Sequence, residues 1–161
     1  MLKKIYNEVT REWDTSVEEA LKSFIRLPAL SPDFDKKWEE NGVLLKALEE
    51  AKAWAEKQGI KGLRCEIIKD DGFTPCLFIE VDATSDKKFE RSVFFYGHLD
   101  KQPPNEGWDP DKSAWEPVIQ NGRLYGRGAV DDGYAFYTSL AAVKVLQTLE
   151  IPHPRCVGLF E

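Results

Sequence analysis

Two short stretches of the chain bring together side chains that can bind a metal ion. In the first, YGHLDKQP, His98 and Asp100 follow directly after the apolar run SVFFY. In the second, YGRGAVDDG, Asp131 and Asp132 precede a long apolar segment. A neutral imidazole nitrogen and a carboxylate oxygen are both ordinary zinc ligands, with bond lengths of about 2.0–2.2 Å. The two stretches therefore predict a metal site to which His98 and Asp131 contribute one ligand each.

Asp100 has a different predicted role, because it lies two residues after His98 on an extended chain. From there its carboxylate can hydrogen-bond to the same imidazole and fix its tautomer. Each feature also has an ordinary structural explanation: His98 could be a satisfied histidine at a strand end, and the two adjacent aspartates could cap a helix. The occurrence of both features in one chain favours the metal site.

The glycines of the second stretch offer a competing interpretation as a dinucleotide-binding loop. Gly126 and Gly128 match the first two glycines of the pattern G-x-G-x-x-G, but Asp131 stands at the third position. Two adjacent carboxylates at the start of a helix would repel a pyrophosphate. Nucleotide binding is therefore disfavoured.

Helical and extended patterns alternate along the chain around these stretches. Helical spacing predicts one helix that starts at a capping Thr15 and is closed by Pro28. It predicts a second helix from about Trp38 to Gln58, with Gly59 as its left-handed cap. A buried helix is predicted from Asp132 to Leu149.

Strand patterns occupy the remaining apolar segments. Two strands joined by a turn at Asp71-Gly72 are predicted within residues 62–83, a third at SVFFY and a last one at RCVGLFE. Residues 101–129, with a second turn signal at Asn121-Gly122, are predicted to form a long loop or a short hairpin. The order of these elements predicts an α/β fold.

Composition restricts the function classes. The chain has 161 residues, 42% of them hydrophobic, which fits one domain or part of one. Its 22 basic and 28 acidic side chains give a net charge of −6, and without a basic cluster we expect no nucleic-acid partner. Without a signal-peptide pattern or a long apolar run, we expect a soluble cytoplasmic protein with no membrane partner. Three cysteines without CxxC spacing predict reduced thiols, namely Cys65, Cys76 and Cys156.

The order of the motifs resembles the N-terminal part of the catalytic domain of dizinc metallopeptidases, the family of carnosinase, bacterial dipeptidases, glutamate carboxypeptidase and aminoacylase. The resemblance rests on H-x-D in YGHLDKQP, on G-R-G-x-x-D-D in NGRLYGRGAVDDG and on the final strand ending LFE. It covers essentially the whole chain, and the segment ALSPDFDKKWEENG is most similar to the dipeptidase branch. The resemblance implies a three-layer α/β/α zinc-peptidase-like catalytic domain with a mixed sheet, incomplete in this chain.

The resemblance also implies roles for individual residues. His98 would bind one zinc ion, Asp131 would bridge two, and Asp100 would be the catalytic-site carboxylate that supports His98. We expect the ligand atoms of His98 and Asp131 to lie within about 5 Å of each other. The peptide bond after Asp131 is expected to be cis. The implied cofactor is zinc, two ions per intact active site, although other divalent metals could replace it.

The implied activity is hydrolysis of the amide bond of dipeptides or N-acyl amino acids by a metal-dependent dipeptidase or carboxypeptidase, homodimeric when intact. Two departures from the family pattern matter here. The family commonly has DDKG where this chain has DDGY, and its strand reads F-E-x-x-E-E, in which the last two glutamates are the general base and a ligand. Glu161 matches the first, non-catalytic glutamate.

We therefore expect residues 1–161 to be the N-terminal portion of the catalytic domain, without the lid and dimerisation domain, and to be inactive by themselves. Two alternatives stay open: a non-catalytic metal-binding or regulatory module, and a domain that packs against a partner through the strand RCVGLFE. Two adjacent glutamates shortly after Glu161 would favour the peptidase. His153, in the turn PHPR, is predicted to be structural, and Trp108 and Trp115 are predicted to anchor the long loop.

Overall fold

A four-stranded mixed sheet forms the centre of the computed structural model, which describes residues 1–84 and 91–161. In chain order the strands are β1 (Leu63–Ile68), β2 (Cys76–Val81), β3 (Val93–Gly97), β4 (Val118–Gln120), β5 (Arg123–Tyr125) and β6 (Cys156–Phe160). The sheet has the order β1-β2-β6-β3, and β4 and β5 form a separate hairpin. The predicted α/β class with a mixed sheet is confirmed.

The helices cover one face of the sheet. They are α1 (Leu2–Glu12), α2 (Glu18–Arg26), α3 (Trp38–Asn41), α4 (Val43–Glu56) and α5 (Tyr134–Thr148). Helices α2, α4 and α5 contact one another, and the inward side chains of β2 and β6 are buried beneath them. The opposite face of the sheet carries exposed side chains such as Phe94 and Tyr96. No helix in the described part of the chain is long and apolar enough to cross a membrane.

Strand pairing determines which loops meet at the edge of the sheet. β2 is antiparallel to both β1 and β6, whereas β3 and β6 are parallel. In the register of the parallel pair, Gly97 at the end of β3 lies opposite Phe160 at the end of β6. The residues that follow, His98 and Glu161, therefore emerge at the same edge of the sheet.

The first helical region begins earlier than the sequence pattern predicted. Helix α1 starts at Leu2 and continues through a helical turn, Trp13–Val17, directly into α2. Thr15 is therefore not a capping residue, and its hydroxyl donates a hydrogen bond to the carbonyl oxygen of Arg11 at 2.7 Å. The one buried residue of α1 is Glu12, whose carboxylate lies 2.7 Å from the ammonium of Lys144. Leu2, Ile5 and Val9 recur at helical spacing in this segment, so the sequence carried a helix signal that the prediction did not use.

Two other helix boundaries also differ. The predicted helix from Trp38 to Gln58 is divided at Gly42, whose φ of 67° ends α3 before α4 begins. The buried helix α5 starts at Tyr134 rather than at Asp132, because the backbone of Asp131 and Asp132 is not helical. The left-handed conformation predicted at Gly59 and the two predicted turns, at Gly72 and at Asn121-Gly122, are confirmed.

Two glycines at the ends of the segment 128–133 allow α2 to pack closely behind it. A Cβ atom on Gly133 would lie 2.3 Å from Cε1 of Phe24, and one on Gly128 would lie 3.0 Å from the same atom. Gly133 has φ −51° and ψ −34°, which any residue adopts, so the constraint there is space alone. The aromatic ring of Phe24 thus limits how the segment that carries Asp131 can sit on the core.

The substitution Gly133→Ala should destabilise the protein by about 1–3 kcal/mol, because the added methyl group overpacks the contact with Phe24 and approaches the carbonyl oxygen of Gly128. The free energy of unfolding measured with urea tests this expectation.

The matched control is a double-mutant cycle with Phe24→Leu, which shortens the side chain at the contact. Gly133→Ala should cost less free energy in the Phe24→Leu background than in the parent protein. An equal cost in both backgrounds would show that contact with Phe24 does not explain the glycine.

Candidate metal centre

His98 is the first residue after β3, and its imidazole lies beside the carboxylate of Asp131. The distance between His98 Nε2 and Asp131 Oδ1 is 3.2 Å, so the predicted proximity of the two side chains is confirmed. Two ligands of one tetrahedral ion, each bonded at about 2.1 Å, would lie about 3.4 Å apart. The separation of the two ligand atoms therefore fits a shared metal ion.

Asp100 contacts the other nitrogen of the imidazole. Its Oδ1 lies 2.8 Å from His98 Nδ1, and its backbone carbonyl oxygen lies 3.2 Å from the same atom. Both oxygens can only accept a hydrogen bond from the ring, so Nδ1 carries the proton. In the neutral imidazole, Nε2 is then left with a lone pair that faces the carboxylate of Asp131.

A positive charge between His98 Nε2 and Asp131 Oδ1 would be favourable, because both atoms are electron-rich. Burial lowers the pKa of His98, but the carbonyl of Asp100 and the carboxylates of Asp100, Asp132 and Asp131 raise it, and the net change is upward. A proton on Nε2 or a metal ion would each relieve the repulsion between Nε2 and Asp131. The residues present therefore fit a divalent cation by their chemistry as well as by their spacing.

Asp132 belongs to this cluster, although the sequence pattern suggested only a helix cap for it. Its Oδ2 accepts a hydrogen bond from the backbone N–H of His98 at 3.3 Å. The same oxygen would lie 2.7 Å from a Cβ atom on Gly97, so the carboxylate needs a glycine at that position. The peptide bond between Asp131 and Asp132 is cis, as the resemblance implied. The sequence signal that could have identified Asp132 is the glycine directly before His98.

An open cleft of about 330 Å³ lies against the imidazole. Its walls include the side chains of Tyr96, His98, Asp100, Gln102 and Glu161. The hydroxyl of Tyr96 donates a hydrogen bond to the carboxylate of Glu161, and this hydrogen bond raises the pKa of Tyr96. The cleft has the size at which small-molecule sites begin, about 300 Å³.

Other chemistry-bearing residues lie away from this cluster. His153 is 1% exposed, its Nδ1 donates to the carbonyl oxygen of Pro154, and its Nε2 accepts from Gln147. It precedes β6, at the opposite end of the strand from Glu161. Trp108 donates to the carbonyl oxygen of Pro104 within the long loop. Within residues 1–84 and 91–161, no group of three or more His, Cys, Asp or Glu side chains is arranged to hold a metal ion.

Comparison with known proteins shows what this chain is similar to. Residues 94–160, which carry both motifs, match the model of peptidase family M20/M25/M40. This match agrees with the resemblance inferred from the motifs, and it covers less than half of the chain.

Curated relatives are similar over short segments. The chain is 36% identical to Beta-Ala-His dipeptidase of Mus musculus over 78 residues, which cover 47% of this chain and 15% of the mouse protein. It is 49% identical to succinyl-diaminopimelate desuccinylase of Acidiphilium cryptum over 49 residues, which cover 30% of this chain and 13% of that protein. The chain thus spans a small part of the length of these relatives, whose names are those of hydrolases.

Solved structures share the fold over nearly the whole chain. Human carnosine dipeptidase 1 superposes with a TM-score of 0.74 at 22% identity, covering 99% of this chain and 34% of that one. The dipeptidase Dug1p of Saccharomyces cerevisiae has a TM-score of 0.71 at 21% identity, covering 100% of this chain and 34% of that one. These similarities show that the chain shares the fold of the matching parts of these two proteins.

If Asp100 orients a metal-binding imidazole, then Asp100→Ala should weaken zinc affinity by about 10- to 100-fold, as loss of such supporting carboxylates does. His98→Ala should weaken it more, because it removes a ligand. Zinc titration of the intact protein, monitored by calorimetry, gives both values.

The matched control is Asp109→Ala, which removes a carboxylate whose one salt-bridge partner among the described residues is Lys112 in the long loop. Its zinc affinity should equal that of the parent protein. If the affinity of Asp100→Ala also equals that of the parent, Asp100 has no role in metal binding.

Proposed function

We propose that the intact protein containing this chain is a zinc-dependent peptidase that hydrolyses the amide bond of dipeptides or N-acyl amino acids. One observation carries the proposal: His98 Nε2 and Asp131 Oδ1 face each other at 3.2 Å, with Asp100 on the far side of the ring. The family match of residues 94–160 supports the reaction class. The relatives named dipeptidase support the substrate class.

His98 and Asp131 would hold the metal, which we propose to be zinc, with two ions in the intact site. Bound zinc would polarise the scissile carbonyl and lower the pKa of a bound water. Asp100 keeps the proton of the imidazole on Nδ1, which leaves Nε2 free to act as a ligand. Asp132 holds the backbone of His98 through its N–H and thereby sets the direction of the ring.

The cleft beside the imidazole is the proposed entrance for the substrate. Its volume of about 330 Å³ is at the small end of the range for ligand pockets, which suits a dipeptide better than a folded protein. Glu161 is not proposed as the general base, since its carboxylate is engaged by the hydroxyl of Tyr96. We propose that the base, the remaining ligands and the surface that forms a homodimer lie outside residues 1–161.

Hydrolysis of dipeptides and N-acyl amino acids by the intact protein is the direct test. With zinc present, release of free amine from at least one substrate class should be measurable, and His98→Ala should abolish it because the substitution removes a ligand. Asp109→Ala should retain the parent rate. Metal-dependent turnover that survives His98→Ala would contradict the proposed site.

Residues 1–161 alone should not hydrolyse these substrates. A catalytic zinc ion typically takes about three protein ligands and a water, whereas His98 and Asp131 supply two. Amine release by the purified segment, after circular dichroism has verified its helix and strand content, is the measurement. Turnover that depends on zinc and is lost in His98→Ala would show that residues 1–161 assemble a complete site.

A further inference from the structure

Lys101 is a fully buried lysine that follows Asp100 in the chain. It is 1% exposed, and its Nζ donates hydrogen bonds to the carbonyl oxygens of Phe24 and Leu27 at 2.5 and 2.6 Å. Helix α2 ends at Arg26, so these carbonyls belong to its last turn and the residue beyond it. The final carbonyls of a helix have no partner within it, and a positive charge is favourable there. The ammonium of Lys101 therefore caps the C-terminus of α2.

The surroundings of this ammonium are otherwise apolar. Nζ lies 3.8 Å from the ring centre of Phe24 and 5.6 Å from that of Trp115. Burial alone lowers the pKa of Lys101, from 10.5 to about 7, and no charged side chain of the described residues contributes to the change. Burying an amino group here costs free energy, and its hydrogen bonds to the carbonyl oxygens offset part of that cost.

The side chain of Lys101 also touches the segment that carries Asp131. A Cβ atom on Gly128 would lie 2.8 Å from Cε and 3.2 Å from Cδ of Lys101. Phe24, whose carbonyl Lys101 caps, fills the space against Gly133 at the other end of the segment. Lys101 and Phe24 together therefore support both ends of the segment 128–133 from below.

The backbone of Lys101 holds the loop that carries His98 and Asp100. Its carbonyl oxygen accepts a hydrogen bond from the N–H of Ser31 at 2.9 Å, and Lys101 forms a parallel β-bridge with Leu30. These bonds tie the three residues after His98 to the chain that leaves α2. A displacement of Lys101 would therefore move Asp100, which contacts the imidazole.

We propose that Lys101 is a positioning residue that sets the separation between His98 and Asp131. Its backbone continues from the loop of His98 and Asp100, its alkyl chain supports Gly128, and its ammonium fastens both to the end of α2. The inference rests on the proposed function, since it concerns the same pair of ligands.

Lys101→Met separates the ammonium from the alkyl chain, because methionine fills a similar volume but donates no hydrogen bond. The carbonyl oxygens of Phe24 and Leu27 then lose their hydrogen bonds from Nζ, and we expect the loop of His98 to shift relative to Gly128. In the intact protein, zinc affinity measured by calorimetry should fall about 10-fold, as for the loss of a residue that orients a ligand. The kcat for a dipeptide should fall with little change in KM.

Lys144→Met is the matched control, since it also removes a lysine ammonium that makes interior contacts. The ammonium of Lys144 binds Glu12 and Gln58, and it makes no contact with the segment 128–133 in the described residues. This variant should lose stability but retain the zinc affinity and kcat of the parent. Equal losses of zinc affinity in the two variants would overturn the proposal, because they would reflect stability alone.

The dependence of stability on pH tests whether Nζ of Lys101 is buried. The pKa of Lys101 is about 7 in the folded protein and about 10.4 in an unfolded chain. Between these values the unfolded state binds more protons, so the stability of the parent should rise with pH from about 7 to 10 relative to that of Lys101→Met. A difference that does not change with pH would show that Nζ is not buried against the end of α2, and would overturn the proposal.

Amide chemical shifts separate failure of this inference from failure of the proposed function. If the parent binds no zinc and cleaves no dipeptide, the proposed function is wrong, but the effect of Lys101→Met on the apoprotein still decides the positioning role. Shift changes concentrated at residues 98–101 and 128–133 would support the role. Unchanged shifts at His98 and Gly128 would overturn it.

Discussion

The parallel pairing of β3 with β6 is the constraint on which the rest of the site depends. It brings Gly97 and Phe160 level, so that His98 and Glu161 leave the sheet at one edge. The connection between these strands includes α5, which packs against β3 and brings the segment before it, with Asp131, to the same edge. In such open sheets the carboxyl ends of parallel strands are where ligands bind. The topology therefore brings together residues separated by more than 30 positions in the chain.

Close packing then sets the positions of the side chains that the topology has brought together. Three glycines allow atoms to approach where a Cβ would not fit: Gly97 beside the carboxylate of Asp132, and Gly128 and Gly133 beside the side chains of Lys101 and Phe24. The approach at Gly97 allows Asp132 to accept the N–H of His98. The approach at Gly128 and Gly133 seats the Asp131 segment directly on the end of α2. Protein interiors are packed too densely for such contacts to shift freely, so the position of Asp131 is tied to that of α2.

The sequence predicted the elements whose signals are local and apolar. The turns at Gly72 and Asn121-Gly122, the strands and the helix α5 all follow from alternation or helical spacing. Helix α1 has the same kind of signal in Leu2, Ile5 and Val9, although no helix was predicted there, and its buried carboxylate pairs with Lys144. At the site, the pairing of His98 with Asp131 and Asp100 was predictable from residue types and motif order. The contributions of Asp132 and Lys101 were not, because each depends on contact with a residue distant in sequence.

Electrostatics at this edge of the sheet explain why the pKa of His98 is raised while that of Lys101 is lowered. The carboxylates of Asp100, Asp131 and Asp132 surround one imidazole and raise its pKa, so the exposed side of the site favours positive charge. Lys101, although adjacent to Asp100 in the chain, turns its ammonium into the core, where burial lowers its pKa to about 7. If the ammonium of Lys101 pointed outward, it would place a positive charge beside these carboxylates. That charge would compete with a bound cation. Because Lys101 points inward, it supports the site from beneath and leaves the carboxylates available to a divalent ion.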